Sequence, residues 1–336
     1  MNYAIWVTAA CNLQCKYCYE GSNKPHISLN RKKIDDILDY IRTDLKDNQD
    51  KELQIDFHGG EPFLEFGSIR YFVEKVMSEY AKEKNILFGT TTNATILNKD
   101  ILDFIVQYIP ELTVSLDGTR EVHDYMRPFK NGEGSYDIAL KNSLCILERL
   151  PNIRVRMTVT SKCVDSLAEG VKNLIGYGFK TIVPAIDLYD KGWNDERLEI
   201  LACQICEIKQ FLKTRSDVVI SLCDPVYIRK RSICRGGRDN KNIYPDGSIY
   251  PCMMAGGQVE FNVGSIYEGI NQRKLENILG YGEQIYTECI GCALKNACNG
   301  NRCKIINRMI TGDYLMPSEV ECEVNHILYK LNGAVR

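Results

Sequence analysis

The sequence predicts an α/β fold: a partial (β/α)6 barrel of the TIM type over residues 1–215, followed by a small cysteine-rich domain over residues 216–336. Three observations carry this expectation. Six short β-branched runs alternate with longer stretches of helical period through the first two thirds of the chain. Polar and apolar residues alternate inside several of those runs. Near residue 215 the pattern gives way to short strands, turns such as "YPDGSIYPC" and closely spaced cysteines. A chain of 336 residues leaves room for about two domains.

The expected strands are "YAIWVT" (3–8), "LQIDFH" (53–58), "ILFGTTT" (86–92), "LTVSLD" (112–117), "IRVRMTV" (153–159) and "KTIVPAI" (180–186). Between the first two, "KKIDDILDYIRTDL" sets Ile34, Ile37, Leu38, Ile41 and Leu45 on one helical stripe. Six units rather than eight favour a barrel that stays open. In the second strand Gln54, Asp56 and His58 share one face and Leu53, Ile55 and Phe57 the other. Thr113, Ser115 and Asp117, and then Arg154, Arg156 and Thr158, repeat the pattern. The apolar faces belong against helices. The polar faces either line a ligand-holding lumen or form buried ion pairs, such as Asp56 with Arg156.

Net charge is -2, which offers no global field to attract nucleic acid or an anionic membrane. Apolar runs are short and no signal-peptide pattern opens the chain, so a cytoplasmic protein is expected. One basic run, "IRKRSICRGGRDNK" (228–241), gathers Arg229, Lys230, Arg231, Arg235 and Arg238 around Cys234. It reads as a solvated loop, or as charge set against an anionic group.

The chain has 15 cysteines, which in a reduced compartment points to metal ligation more than to disulfides. Cys145, Cys163, Cys203 and Cys206 fall in or beside helical patterns and are expected to be small buried hydrophobes, the last two as part of a helix core in "NDERLEILACQICEIKQFL". The segment after 215 has little apolar material of its own, so bound metal is expected to supply much of its stability. "CNLQCKYC" (11–18) sets Cys11, Cys15 and Cys18 close together. A 4Fe-4S cluster takes four thiolates, one per iron, so three leave an iron open to a ligand from outside the protein.

At this point the chain resembles the radical S-adenosylmethionine enzymes, whose signature CxxxCx(aromatic)C is matched by Cys11, Cys15, Tyr17 and Cys18. The resemblance implies that the methionine part of S-adenosylmethionine occupies the open iron, and that electron transfer from the cluster yields a 5′-deoxyadenosyl radical. It implies further that Gly59, Gly60 and Glu61 of "HGGEP" (58–62) meet the cofactor amine, and that Ser115 of "SLDG" and Arg127 of "HDYMR" help hold its ribose and carboxylate. "TTTNA" (90–94) ends the third strand in the same register. Asp56 and Asp117, on the polar faces, are the candidate catalytic carboxylates.

The later cysteines resemble the SPASM domain of peptide-modifying radical enzymes. "GSIYPC" and "CIGCALKNAC" follow its spacing, while four residues separate Cys298 from Cys303 where three are usual, a difference that a one-residue bulge would absorb. The resemblance implies two auxiliary 4Fe-4S clusters, the distal on Cys289, Cys292, Cys298 and Cys322 and the proximal on Cys234, Cys252 and Cys303, three clusters in all. Cys223 is the candidate fourth proximal ligand; otherwise that iron is open.

The function implied is radical modification of a ribosomally made precursor peptide, with a flavodoxin or ferredoxin as reductant. The alternative within the family is an anaerobic sulfatase maturase forming formylglycine. Such maturases also do without an N-terminal peptide-recognition domain, and the ten residues before Cys11 leave no room for one. They carry an Asp after the cysteine matching Cys252, where this chain has Met253. Outside the family, a zinc-ribbon interaction module would use the same C-x2-C pairs.

Overall fold

The structure is a computed structural model that describes residues 1–21, 25–46, 51–224 and 233–332. Arg229, Lys230 and Arg231 lie outside the described residues. The chain alternates β1 (Asn2–Thr8), α1 (Arg31–Leu45), β2 (Glu52–Gly59), α2 (Phe66–Tyr80), β3 (Asn85–Thr92), α3 (Lys99–Tyr108) and β4 (Glu111–Ser115). It continues through α4 (Arg120–Met126), α5 (Tyr136–Arg149), β5 (Arg154–Val159), α6 (Leu167–Gly176), β6 (Thr181–Ile186) and α7 (Asp195–Leu212). Strands β1 to β6 are parallel neighbours in sequence order, the arrangement of successive β/α units.

Helix α1 shows how the sequence builds each layer. The Asn30 side chain caps it by accepting from the Lys33 amide, and Ile34, Ile37, Leu38, Ile41 and Leu45 are its buried stripe. In β2 the residues Leu53, Ile55 and Phe57 are buried under the helices, while Gln54, Asp56 and His58 are half-buried on the opposite face. The polar lumen is therefore present. Asp56 Oδ2 accepts from Gln54 Nε2 at 2.9 Å, and Arg154 pairs with Glu111 at 2.8 Å.

The sheet extends beyond the six expected strands. A short β7 (Val219–Ile220) pairs with β6 at one edge. At the other edge β8 (Asn240–Ile243) runs parallel to β1, and β9 (Ser248–Tyr250), β10 (Gly264–Ser265) and β11 (Gly269–Ile270) follow in antiparallel steps. Helices α8 (Gln272–Leu279), α9 (Asn299–Arg302), α10 (Lys304–Thr311) and α11 (Glu319–Asn332) complete the described chain. None of the described helices is long and apolar enough to cross a membrane.

Two expectations are corrected here. The segment after 215 is not poor in core: Ile243, Ile249, Phe261, Val263 and Ile278 are buried in the same apolar cluster as β1 and β2. Pairing of β8 with β1 makes this possible, because it shares a single interior between the two parts. Cys203 and Cys206 are exposed, since Leu201, Ile205 and Ile208 occupy the inward stripe of α7, and Cys145 and Cys163 are only half-buried.

The end of β2 is held against the start of the cysteine loop. Gly59 has φ 149°, and a Cβ there would lie 2.1 Å from Thr8 O; a Cβ on Gly60 would lie 2.3 Å from Ala10 O. Only glycine permits this approach, which is sealed by the Gly60 amide donating to Thr8 O and the Glu61 amide to Ala10 O. Gly60→Ala is expected to cost about 1–3 kcal/mol in urea unfolding of the anaerobic protein, as an overpacked site does. The same variant should bind less iron after reconstitution, because the clash moves the loop that carries Cys11.

Candidate active site

The loop after β1 carries Cys11, Cys15 and Cys18 and is clipped on both sides. On one side Ala9 N donates to Ile27 O, and the hydroxyls of Thr8 and Ser28 meet at 2.7 Å. On the other, Gln14 N donates to Pro128 O and Lys16 N to Met126 O, so the chain leaving α4 holds the middle of the loop. Cys11 is buried and Cys15 and Cys18 are half-buried. Burial pushes the Cys15 thiol up to about 11, opposed by the nearby Arg127 guanidinium.

Asp117, just beyond β4, is the centre of the surrounding network. Fully buried, it accepts from Tyr17 Oη at 2.5 Å, from Arg127 Nε at 2.9 Å and Nη2 at 3.1 Å, and from the Thr158 amide at 3.0 Å. Arg127 in turn stacks over the Tyr17 ring. The Asp117 amide donates to His123 Nδ1, which leaves the proton on Nε2 to donate to Ser135 Oγ; Ser135 then donates to Arg127 O. Burial, with Arg127 beside it, lowers the His123 pKa to about 4 and keeps this ring neutral. Ser115 is buried at the end of β4.

Glu61 is also fully buried and ties β2 to β3. Its oxygens accept from Phe63 N at 3.1 Å, Thr92 Oγ1 at 2.7 Å and Asn93 N at 2.7 Å. Burial outweighs these donors and pushes its carboxyl up to about 7. Asn93 was not singled out from the sequence, although it lies in the quoted "TTTNA". Its Nδ2 faces Cys11 Sγ at 3.9 Å and donates to Asn12 Oδ1 at 2.9 Å, so it orders the first cysteine from the end of β3.

Cys18 opens on a cavity of about 440 Å³ at the carboxyl ends of β5 and β6, lined also by Tyr17, Tyr19, Thr160, Asp187 and Tyr189. Tyr19 Oη and His58 Nε2 are 2.9 Å apart, His58 stands edge-on to Trp6 at 4.7 Å, and Trp6 meets Tyr244 at 5.0 Å. This contact between side chains remote in sequence joins the barrel mouth to the C-terminal strands, and no spacing pattern announces it.

The later cysteines form two groups. Cys234, Cys252 and Cys303 line a second cavity, of about 350 Å³, together with Met253 and Asp56. Burial pushes the Cys252 thiol up to about 12, reinforced by Cys303 and Cys234. Cys322 is pushed up to about 11 by burial and by Cys298, with Cys289 and Cys292 also near. The extra residue between Cys298 and Cys303 is taken up not by a loop bulge but by the turn α9, in which Cys303 N donates to Asn299 O. Cys223 is not among the described residues that line this cavity; its charged neighbours are Lys209 and Cys206 on α7, and burial pushes it up to about 11. Arg235 and Arg238 beside Cys234 are paired with Asp239 and Glu276.

Among the described residues these sulfurs are not drawn together in threes as around a single ion. Around one tetrahedral zinc, sulfurs at 2.3 Å from the metal stand about 3.8 Å apart. Among the described residues no three cysteine sulfurs lie within 4.8 Å of one another; the one trio of possible donors that close is Cys322, Glu323 and His326. Cysteines that each bind a different iron of a cubane stand wider apart than that, and the thiol donors of the Cys11 loop and of the two later groups are of the kind such clusters take.

The 4Fe-4S single cluster domain family matches residues 1–141. An uncharacterized protein of Methanocaldococcus jannaschii is 35% identical over 176 residues, 52% of this chain and 59% of that one, so the match spans little more than half of that relative. The cysteine-type anaerobic sulfatase-maturating enzyme of Clostridium novyi is 27% identical, covering 72% of this chain and 70% of that one. The radical SAM cyclopropyl synthase TigE of Paramaledivibacter caminithermalis is 23% identical, with 88% and 66% covered. Among solved structures, anSMEcpe with bound AdoMet and Cp18Cys peptide superposes with a TM-score of 0.79 at 16% identity, covering 98% of this chain and 96% of that one. Streptococcus suis SuiB bound to precursor peptide SuiA superposes at 0.66 and 18% identity, with 95% and 75% covered. At these identities the structural likeness is one of fold.

If Asp117 is the anchor that its four donors indicate, Asp117→Asn leaves the buried Arg127 cation unpaired and should cost about 3–5 kcal/mol. Thermal unfolding under anaerobic conditions checks this; an unchanged midpoint would remove the anchoring role.

Proposed function

We propose that this radical S-adenosylmethionine enzyme of the SPASM type is a peptide maturase, installing a thioether, a carbon–carbon crosslink or an epimerised centre on a ribosomally made peptide. The observation that carries the reading is the position of the cysteine loop, with Cys18 lining a roomy cavity at the carboxyl ends of β5 and β6. The likeness to TigE, and to the fold of peptide-bound SuiB, supports it.

In this reading Cys11, Cys15 and Cys18 hold a 4Fe-4S cluster whose open iron takes S-adenosylmethionine. When bound, the two together supply the 5′-deoxyadenosyl radical that abstracts hydrogen from the peptide. The chain's own residues position and shield. Gly59, Gly60 and Glu61 fix the loop against β2 and β3; Arg127 keeps a buried positive charge beside Cys15; Ser115 stands at the end of β4 for a sugar hydroxyl. Asp117 has its lone pairs occupied by Tyr17, Arg127 and Thr158, so we assign it to positioning and not to proton transfer. Cys289, Cys292, Cys298 and Cys322 would hold a distal cluster, Cys234, Cys252 and Cys303 a proximal one, within a domain running from 216 to 336. A flavodoxin or ferredoxin is the proposed electron donor, and the cytoplasm the proposed compartment.

Formylglycine formation is the second reading, favoured by the likeness to sulfatase-maturating enzymes. It needs a base for the second proton of the substrate side chain. Met253 occupies the place next to Cys252 where such enzymes carry an Asp, and it lines the proximal cavity.

Anaerobic reconstitution is expected to load about twelve irons per chain, as three cubanes require. Replacing Cys11, Cys15 and Cys18 together by Ala should leave about eight and abolish release of 5′-deoxyadenosine. Continued release from the triple variant would show that the loop is not the radical-generating site. A cysteine-containing sulfatase peptide should emerge without an aldehyde by mass spectrometry, whereas a precursor peptide encoded beside the enzyme should change mass; an aldehyde on the sulfatase peptide would favour the second reading.

A further inference from the structure

A cluster takes its potential in part from the hydrogen bonds that its sulfurs receive, since a donor stabilises the extra negative charge of the reduced state. Backbone amides serve several of the later cysteines. Gly236 N donates to Cys234 Sγ and Leu294 N to Cys292 Sγ, each at 3.4 Å. Cys298 stands at the N-terminus of α9 and takes the Gly300 and Asn301 amides; Cys303 stands at that of α10 and takes the Ile306 amide. In each case the sulfur lies where helical amides are not yet used by the helix, or in a turn.

Cys322 is placed differently. It lies inside α11, where its own amide donates to Ser318 O and the amides that follow are committed to the helix ladder. A donor for its sulfur must therefore come from a side chain, and on a helix surface the neighbours are the residues three and four positions on. Asn325, three on, has its Nδ2 turned to Glu321 O at 2.6 Å and Glu321 Oε1 at 2.9 Å. His326, four on, sets its Nδ1 at 4.0 Å from Cys322 Sγ. Glu323 also lies close, its carboxylate within 4.8 Å of both, but it is exposed and, ionised, has no proton to give. A cysteine bound to iron has lost its own proton, so the pair can bond in one sense only: Nδ1–H donates and Sγ accepts.

We propose that His326 is the hydrogen-bond donor to Cys322 Sγ and thereby raises the midpoint potential of the distal cluster. The proposal rests on the reading that Cys322 is a ligand of that cluster. His326 acts through Cys322 and meets neither the substrate nor S-adenosylmethionine, so it is a positioning residue. Its ring does for a helical cysteine what backbone amides do for Cys292 and Cys298, and the i, i+4 spacing on α11 holds it there.

The experiment uses the full chain carrying the triple Ala replacement of Cys11, Cys15 and Cys18, so that the radical-generating cluster does not contribute to the spectra. This parent is grown on histidine labelled with heavy nitrogen, reconstituted anaerobically and reduced with dithionite, beside His326→Leu, His326→Asn and Cys322→Ala. Pulsed electron paramagnetic resonance should show a weak histidine-nitrogen coupling to one auxiliary cluster of the parent and none in His326→Leu. Because the chain has only His26, His58 and His123 besides, loss of the coupling in that variant identifies the ring. A redox titration should find one auxiliary midpoint lowered in His326→Leu and the other unmoved, with His326→Asn, which can carry a donor at the Nδ1 position, returned toward the parent. A coupling that persists in His326→Leu, a midpoint that does not move, or a coupling as strong as that of a directly bound imidazole would each overturn the assignment; so would loss of iron from His326→Leu, since the ring would then hold the cluster and not tune it. The underlying reading is checked separately. Cys322→Ala should fall from about eight irons to about four, and retention of about eight would sink the reading of Cys322 as a ligand, and the proposal with it.

Discussion

The site depends on one buried carboxylate. Asp117 sits where β4 ends and receives donors from three places that the chain reaches separately: the cysteine loop through Tyr17, the exit of α4 through Arg127, and β5 through the Thr158 amide. A charge buried without partners would be forbidding, and with one cation and two further donors it becomes a junction that resists displacement. His123 and Ser135 extend it, fixing the carbonyl of Arg127 from behind. The cysteine loop has little regular structure of its own, and this network, together with the clips from Met126 and Pro128, is what gives it a shape.

The opposite flank of the loop is set by sterics rather than charge. Gly59 and Gly60 bring the end of β2 into backbone contact with Thr8 and Ala10, and Glu61 carries the constraint onward to Thr92 and Asn93, hence to Cys11. The family resemblance assigns these glycines to the approach of a cofactor amine. The structure adds that they are first needed by the protein itself, because a methyl group at either position would collide with a carbonyl of the preceding loop. Close approach of chain to chain and room for a ligand amine are compatible demands on the same residue type.

Joining the two halves through β8 and β1 has a consequence for the sulfur-rich segment. Composition suggests that bound metal supplies much of its stability, yet Ile243, Ile249, Phe261 and Ile278 share the barrel's interior. The shared interior also explains how Cys234, Cys252 and Cys303 come to face a cavity that a barrel residue, Asp56, helps to line. Trp6 serves the same junction, contacting His58 on one side and Tyr244 on the other.

The order of β/α units, the apolar stripe of α1, the polar lumen face of β2 and the three-cysteine loop were all legible in the sequence, because each is a local property: periodicity, alternation, or spacing along a few residues. The extra strands were not, since β7 and β11 are two residues long and exist only by pairing with a neighbour. The exposure of Cys203 and Cys206 was missed because one helical stripe already satisfied the core, and which side of that stripe a cysteine falls on depends on how the helix is rolled against the sheet. Sequence by itself determined that this chain carries a three-thiolate loop at the end of the first strand of an open α/β barrel. Tertiary structure alone decided which later sulfurs share a cavity, that Cys223 does not line it, and that Asp117 anchors the cysteine loop. Those are contacts between residues far apart in the chain, created by strand pairing and burial, and no spacing rule encodes them.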